Sequence, residues 1–419
     1  MQARNGWIQW RGLPADHAGQ KVLSHALGYS NHAGGAERVS HKLSHWRDQY
    51  PILQRSTYLA SHSLGAVPQS ALQELNRYYE EWATLGILAW DGPWWQAVLD
   101  FQADIEALLG AASGTVVPMQ NVTRGMAAVA SALDYNGPRN KVILTDQEFT
   151  TSYPFWQAQS ECGAQIVVVE SDDNMTVSTQ RIIDAIDEQT LILPLSHVYF
   201  RSGAIQDIGA ICNAAHQKGA WVLADGYQAV GTIPVDVQAL DADFYVGGSH
   251  KWLCGGPGAA FLYVRPELIN LLRPRLTGWF GLKNPFAYEP GTVRPELNDG
   301  VQRFLGGTPN IPALYAARAG IRNLLSAGMT AIREAGQSLS EYAQEQALSR
   351  EFTIKSPADS SRRSNMLCID FEGAQQAASK LESQGIIVDW RPDCGIRLSP
   401  HFYNIKEDLD VFFTAVDAL

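Results

Sequence analysis

Six short apolar runs, separated by stretches with helical spacing, leave this chain little choice of architecture. They are Lys141 to Thr145, Gln165 to Val169, Thr190 to Leu195, Ala220 to Ala224, Asp243 to Val246 and Ala259 to Val264. Runs that stay apolar instead of alternating belong to strands buried on both faces, and helices between strands are what parallel pairing requires. The expectation is an α/β body around a mostly parallel sheet. Helical patterns precede it from Pro68 to about Trp82 and from Trp95 to Leu109, where Val98, Phe101, Ile105, Leu108 and Leu109 share one face.

After Pro274 the sequence becomes loop-like, rich in Gly, Pro and aromatics, from Leu276 to Pro312. Two long helical patterns follow, about Ile311 to Ser326 and Met329 to Leu348. Shorter signals come last: Met366 to Asp370, Ala374 to Gln384, Ile386 to Trp390, Gly395 to Leu398 and Lys406 to Leu419. The expected organisation is an N-terminal arm over 1–50, a large domain over 51–275 and a smaller C-terminal α+β domain over 276–419 that includes the linker 276–312. The arm holds His17, His25, His32, His41 and His45. Its His41/His45 pair has helical metal-site spacing but no acidic third ligand on the same face, so it reads as a solvated helix.

Composition narrows the function classes. Forty-three acids against 32 bases give a net charge of -11. With no basic stripe, a nucleic-acid partner is not expected. No apolar run approaches the roughly 18 residues of a membrane helix, and the opening residues lack a secretory signal's apolar stretch. No membrane association is expected, and the cytoplasm is the expected location. The five cysteines, Cys162, Cys212, Cys254, Cys368 and Cys394, are dispersed and never form a CxxC pair. Neither a disulfide framework nor a zinc site is indicated.

Two residues carry the chemistry. Asp225 closes the buried run Trp221-Val-Leu-Ala-Asp225, and in open α/β sheets the carboxyl ends of strands face the ligand crevice. Lys251 lies just past the next run, in Gly247-Gly-Ser-His-Lys251-Trp-Leu-Cys-Gly-Gly-Pro-Gly258. A partly desolvated lysine has a depressed pKa and can form a Schiff base. Together they suggest pyridoxal 5'-phosphate: the lysine holds C4' as an imine and the carboxylate keeps the pyridine nitrogen protonated, so that the ring acts as an electron sink. Asn121, Val122 and Thr123, between the run Thr115 to Pro118 and a helix starting near Arg124, can offer phosphate donors at a helix N-terminus. Ser249 and His250 could add donors to the same phosphate.

The chain resembles the class V aminotransferase group of fold-type-I pyridoxal phosphate enzymes, particularly its kynureninase-like branch. The resemblance runs from about Tyr58 to the C-terminus. It rests on Ser63-Leu-Gly65 with Pro68, Glu81-Trp82, Ser196-His-Val198 with Ser202-Gly203, and Ala224-Asp225. It continues through Ala229-Val-Gly231 with Pro234-Val-Asp236, Lys251 with Gly255-Gly-Pro-Gly258, Gly278-Trp-Phe-Gly281 with Phe286, Glu289 and Pro290, and Gly306-Gly-Thr308.

The resemblance implies roles. Lys251 would be the Schiff-base lysine and proton shuttle, Asp225 the partner of the pyridine nitrogen, and Phe149 the aromatic stacked on the ring. Trp279 and Thr308 would reach the phosphate of the neighbouring subunit, which implies a homodimer with shared active sites. Arg397 would hold the substrate α-carboxylate. Ser63 and Tyr199 match substrate-side positions, and Trp94, in Trp90-Asp-Gly-Pro-Trp94-Trp95, falls where relatives shape the substrate pocket, implying a bulky or aromatic substrate.

Three departures bear on the reaction. Kynureninases have a histidine at Gln228, a tyrosine at His250 and usually an asparagine at Tyr199. Asp225-Gly-Tyr-Gln228 is closer to the aminotransferase and cysteine desulfurase pattern, in which the glutamine bonds the cofactor's 3'-oxygen. The expected activity is Cα deprotonation of an L-amino acid through an external aldimine, followed by transamination or by lysis of a β-substituted substrate. A kynureninase-type hydrolase, a cysteine desulfurase and, remotely, a non-catalytic cofactor-binding protein are the alternatives.

Overall fold

The computed structural model describes residues 43–288, 290–291 and 295–419. Residues 1–42 of the arm, with His17, His25, His32 and His41, lie outside the described residues, as does Glu289. After a two-residue strand β1 (Thr57–Tyr58), each apolar run becomes a strand. These are β2 (Val116–Met119), β3 (Lys141–Thr145), β4 (Gln165–Val169), β5 (Thr190–Ser196), β6 (Trp221–Asp225), β7 (Phe244–Gly248) and β8 (Ala260–Val264).

Among the described residues β2 to β8 form one seven-stranded sheet in the order β2-β8-β7-β6-β5-β3-β4. Strands β3 to β7 pair in parallel, and β8 runs antiparallel to both its neighbours. Two antiparallel steps restore the direction, so β2 ends at the same edge as β3, β5, β6 and β7. Every residue of β5, β7 and β8 is buried, as expected for strands covered on both faces. Burying each large apolar side chain there contributes about 1.5–3 kcal/mol. The expected α/β fold with a mostly parallel sheet is the one the chain adopts.

A second sheet is antiparallel and small. It contains β9 (Thr353–Ile354), β10 (Leu367–Asp370), β12 (Asp389–Arg391) and β13 (Gly395–Leu398), in the order β12-β13-β10-β9. The run read as continuous from Ile386 to Trp390 is split, because its two ends find different partners. Strand β11 (Ile386–Ile387) pairs in parallel with β1, whereas β12 pairs with β13.

Helix Ile311–Ala327 leaves the C-terminal part and packs on helices Gln69–Leu85 and Pro93–Leu109. Its Leu314, Ile321 and Leu324 join Phe101 and Leu109 in the core of the large sheet. Its Arg318, 4% exposed, pairs with Asp100 at 2.7 Å and Asp104 at 2.8 Å. The boundary read at residue 276 therefore runs through one hydrophobic core. No helix among the described residues is long and apolar enough to cross a membrane.

One close approach joins the segment after β1 to the turn after β7. Gly65 donates its amide to the His250 carbonyl at 2.8 Å, and a Cβ at Gly65 would stand 1.9 Å from the Lys251 carbonyl oxygen. Backbone cannot yield as a side chain can, so Gly65→Ala should lower stability by about 1–3 kcal/mol. Gly209→Ala is the control: its nearest neighbour would be 3.8 Å away, and thermal melting should show no loss.

Candidate active site

Strand β7 ends in Gly247-Gly248, and the following turn carries Lys251 into a cavity at the carboxyl edge of the sheet. The glycine at 248 is required because a Cβ there would lie 2.3 Å from the Tyr227 hydroxyl oxygen. Lys251 is 8% exposed. Its Nζ lies 5.1 Å from the Phe149 ring centre and 4.8 Å from that of Tyr227. Burial lowers the amine to about 8, against an upward pull from Asp225. A lysine so placed reaches its neutral, nucleophilic form close to physiological pH.

Asp225, the last residue of β6, lines the same cavity. Its Oδ1 accepts the Tyr227 amide at 2.9 Å, and the other oxygen has no hydrogen-bond partner among the described residues. Burial raises this carboxyl, while the Tyr227 amide and Lys251 oppose the rise. A buried carboxylate with one unused oxygen favours a cationic N–H partner.

The other end of the cavity is the N-terminus of helix Val122–Ala130, which follows β2. Asn121 caps it by accepting the Arg124 amide at 2.9 Å, and Val122 and Thr123 line the cavity. Backbone N–H groups and the helix dipole there suit a phosphate. Gln228 donates to the His62 carbonyl at 3.1 Å and accepts the Trp252 indole N–H at 2.7 Å, which leaves one amide proton for a further acceptor. His250 lies 2.5 Å from the Tyr227 hydroxyl through Nδ1, and burial and then Lys251 lower its pKa, so the ring is neutral. Lysine, ring acid, aromatic face and anion-binding helix end thus converge with the donor set that pyridoxal 5'-phosphate needs.

Arg397 lies on β13 and is 4% exposed. It donates through Nη1 to the Phe200 carbonyl at 2.7 Å and through Nη2 to Asp389. Ser63 donates to the same Asp389 oxygen at 2.6 Å, and His62 Nε2 lies 3.3 Å from it. Burial opposes ionisation of Asp389, yet the His62 hydrogen bond and the Arg397 charge hold its pKa well below the usual carboxylate range. Both Arg397 and Asp389 act electrostatically on Lys251.

Three expected site residues lie elsewhere. Ser249 is 1% exposed and spends its hydroxyl on the Gly256 and Ala259 carbonyls, at 2.7 and 2.8 Å, so it has no donor for a phosphate. Tyr199 is 1% exposed and points into the core, where its hydroxyl accepts from Gln206 at 3.1 Å. Trp94 stacks on Tyr78 at 5.3 Å and meets Trp90 edge-on at 5.0 Å, so it builds the helix layer and not the cavity wall. Trp279 packs on Phe280, Phe286 and Tyr288, and Thr308 is exposed with its carbonyl near Gln120; neither lines the Lys251 cavity of its own chain.

The structure adds residues that sequence reasoning missed. Phe200 meets Phe149 edge-on at 5.2 Å and lines the same cavity, while Tyr227 supplies the second ring against the amine. Glu148 accepts from Thr145 Oγ1 at 2.7 Å and from the Ser196 amide and hydroxyl at 2.8 and 2.6 Å. Burial raises it to about 7 despite these bonds. Asp389 is the most consequential omission. Its only sequence signal was the hairpin spacing from Asp389 through Gly395 to Arg397.

Comparison with known proteins agrees with this geometry. The family described as aminotransferase class-V matches residues 57–412. An uncharacterized aminotransferase of Bacillus subtilis, YcbU, is 30% identical over 88% of this chain and 96% of its own. The kynureninase of Pseudomonas fluorescens is 28% identical over 82% of this chain and 84% of its own. Among solved structures, the apo cysteine desulfurase of Thermococcus onnurineus superposes with a TM-score of 0.80 at 21% identity, covering 89% of this chain and 97% of that one, a likeness of fold. With the buried lysine and aspartate at adjacent strand ends, these matches establish that the chain belongs to the class V aminotransferase family and is a pyridoxal 5'-phosphate-dependent enzyme.

Proposed function

We propose that the enzyme acts on an L-amino acid, that Lys251 removes its Cα proton and Arg397 holds its α-carboxylate, and that the outcome is amino transfer or loss of a β-substituent. The observation that carries this reading is the Lys251 amine, held between the Phe149 and Tyr227 rings with Asp225 and Arg397 acting on it from two different sheets. The cofactor, when bound, supplies an electron sink for negative charge at Cα. Lys251 would carry it covalently, Asp225 would hold a proton on its pyridine nitrogen, and the helix end at Asn121, Val122 and Thr123 would take its phosphate. Gln228 would donate its remaining amide proton to the ring oxygen, and Phe149 would cover one face. The Phe149 and Phe200 walls favour an apolar or aromatic substrate side chain.

The rival readings have less support. A desulfurase needs a reactive thiolate near the substrate. Cys212, Cys254, Cys368 and Cys394 are buried, and burial raises the thiols of Cys254 and Cys368 to about 12. Cys162 is exposed, but it closes the turn Ala158–Cys162 and does not line the cavity. Hydrolysis of kynurenine is disfavoured because Gln228 and His250 stand where kynureninases have histidine and tyrosine. A cytoplasmic location goes with five unpaired cysteines, as in a reducing compartment.

A homodimer completes the reading. Leu72, Tyr79 and Ile87 are 65%, 62% and 83% exposed along helix Gln69–Leu85 and the turn after it, an apolar face that a second copy would cover. The same association would bring Trp279 and Thr308 to the partner's phosphate site.

Four outcomes are expected. Uptake of the cofactor by the apo-protein should accelerate as pH rises through about 8, where Lys251 loses its proton. Asp225→Asn, which removes the upward pull on that amine, should move the midpoint to lower pH in a stopped-flow absorbance titration. A panel of L-amino acids assayed with and without an oxo-acid acceptor should yield new amino acid only when acceptor is present; oxo acid formed without acceptor would indicate β-elimination, and alanine formed without it would indicate kynureninase-type cleavage. In sedimentation velocity the protein should run as a dimer, and Ile87→Asp with Leu88→Asp should yield monomers that lose cofactor on dialysis.

A further inference from the structure

We propose that Asp389 is the positioning residue of the carboxylate subsite: it aligns the Arg397 guanidinium and masks its charge, so that Arg397 reads one substrate carboxylate through directed hydrogen bonds and does not trap anions in general. The proposal rests on Arg397 being the carboxylate anchor.

The register of the small sheet carries the argument. Asp389 on β12 stands directly opposite Arg397 on β13, so the two side chains share one face of the hairpin. Both oxygens of Asp389 have charged or polar neighbours. One oxygen takes Arg397 Nη2, the Ser63 hydroxyl at 2.6 Å and the weaker contact from His62 Nε2 at 3.3 Å; the other takes Arg391 Nη1 at 2.9 Å. His62 is itself fixed, its Nδ1 lying 2.6 Å from the Ser399 hydroxyl. The carboxylate is therefore held in one orientation by groups from three segments of the chain.

Arg397 is gripped at two points, by Asp389 on Nη2 and by the Phe200 carbonyl on Nη1, which sets the plane of the guanidinium. Its Nε is buried and has no hydrogen-bond partner among the described residues. An arginine in this state keeps directed donors for a planar carboxylate, while its charge is offset by a neighbour that is only 10% exposed, shared on its outer oxygen with the half-exposed Arg391. Were the mask absent, the buried guanidinium would carry an uncompensated charge and draw in any small anion.

The test uses the holoenzyme and three variants: Asp389→Asn, Ser63→Ala and Arg397→Ala. Inhibition by acetate, kcat and KM for an L-amino acid, and the change in the cofactor's visible spectrum are measured with that amino acid and with the corresponding amine lacking the carboxylate. In Asp389→Asn, acetate should inhibit about tenfold more tightly. Its kcat should fall without a rise in KM, and the spectral response to the carboxylate-free amine should match the wild type. Ser63→Ala should move in the same direction by less, with an unchanged melting temperature, and it decides the matter if Asp389→Asn does not fold. A folded Asp389→Asn whose acetate inhibition changes by less than about twofold overturns the proposal. So does equal loss of response to amino acid and amine, which a merely structural role would produce. If Arg397→Ala binds amino acids as the wild type does, the anchor reading fails, and this proposal with it. A failure confined to Asp389→Asn and Ser63→Ala leaves the anchor reading standing.

Discussion

A lysine and an aspartate are kept below the surface at the carboxyl edge of one sheet, and much of the architecture follows from the need to hold them there. Desolvation works against both charges: it pulls the Lys251 amine down to about 8 and pushes the Asp225 carboxyl up. Each partly restores the other, and aromatic faces substitute for water around the amine. The sheet must be rigid for this to work, since an amine free to move would find solvent. Strands β5, β7 and β8, buried on both faces, supply that rigidity.

The small sheet lies beside the cavity, and its Arg397 and Asp389 act electrostatically on the Lys251 amine. The large sheet delivers the Lys251 amine, the Asp225 carboxyl and the N-terminus of helix Val122–Ala130. The small sheet delivers Arg397 and Asp389. The segment from β1 to Gly65 joins the two: β1 pairs with β11, Ala60 bridges to Ser399, Ser63 bonds Asp389 and Gly65 bonds the turn that holds Lys251. The side chains from the two sheets are thereby set in register by one short stretch of backbone. A shift of the small sheet would move Arg397 relative to the Lys251 amine, so the spacing of the two is a property of the fold.

Much of the fold was legible because it is written in periodicity. Apolar runs marked the strands of the large sheet to within a residue or two, and the long helical patterns at Ile311 and Met329 became helices with those starts. The run from Ile386 to Trp390 was misread as one strand because nothing local announces that its halves pair with different partners. The aromatic cluster around Trp94 invited a pocket; Trp94 is instead packed against Tyr78 and Trp90, since aromatic surface of that size is as useful to a core as to a binding wall. Ser249 and Tyr199 were misplaced for a related reason: a sequence position does not say which way a side chain points.

The sequence by itself determined the α/β class, the order of the strands along the chain and the placement of Asp225 at one strand end and Lys251 just past the next. These depend on residue type and on spacing along one element, which sterics and the alternation of side chains translate directly into structure. Only the tertiary structure decided that Asp389 faces Arg397, that Tyr227 flanks Lys251 and that His62 and Ser63 reach the small sheet. Those pairings join positions separated by up to hundreds of residues, and they arise from cross-strand register and from the desolvation that makes each buried charge require a partner.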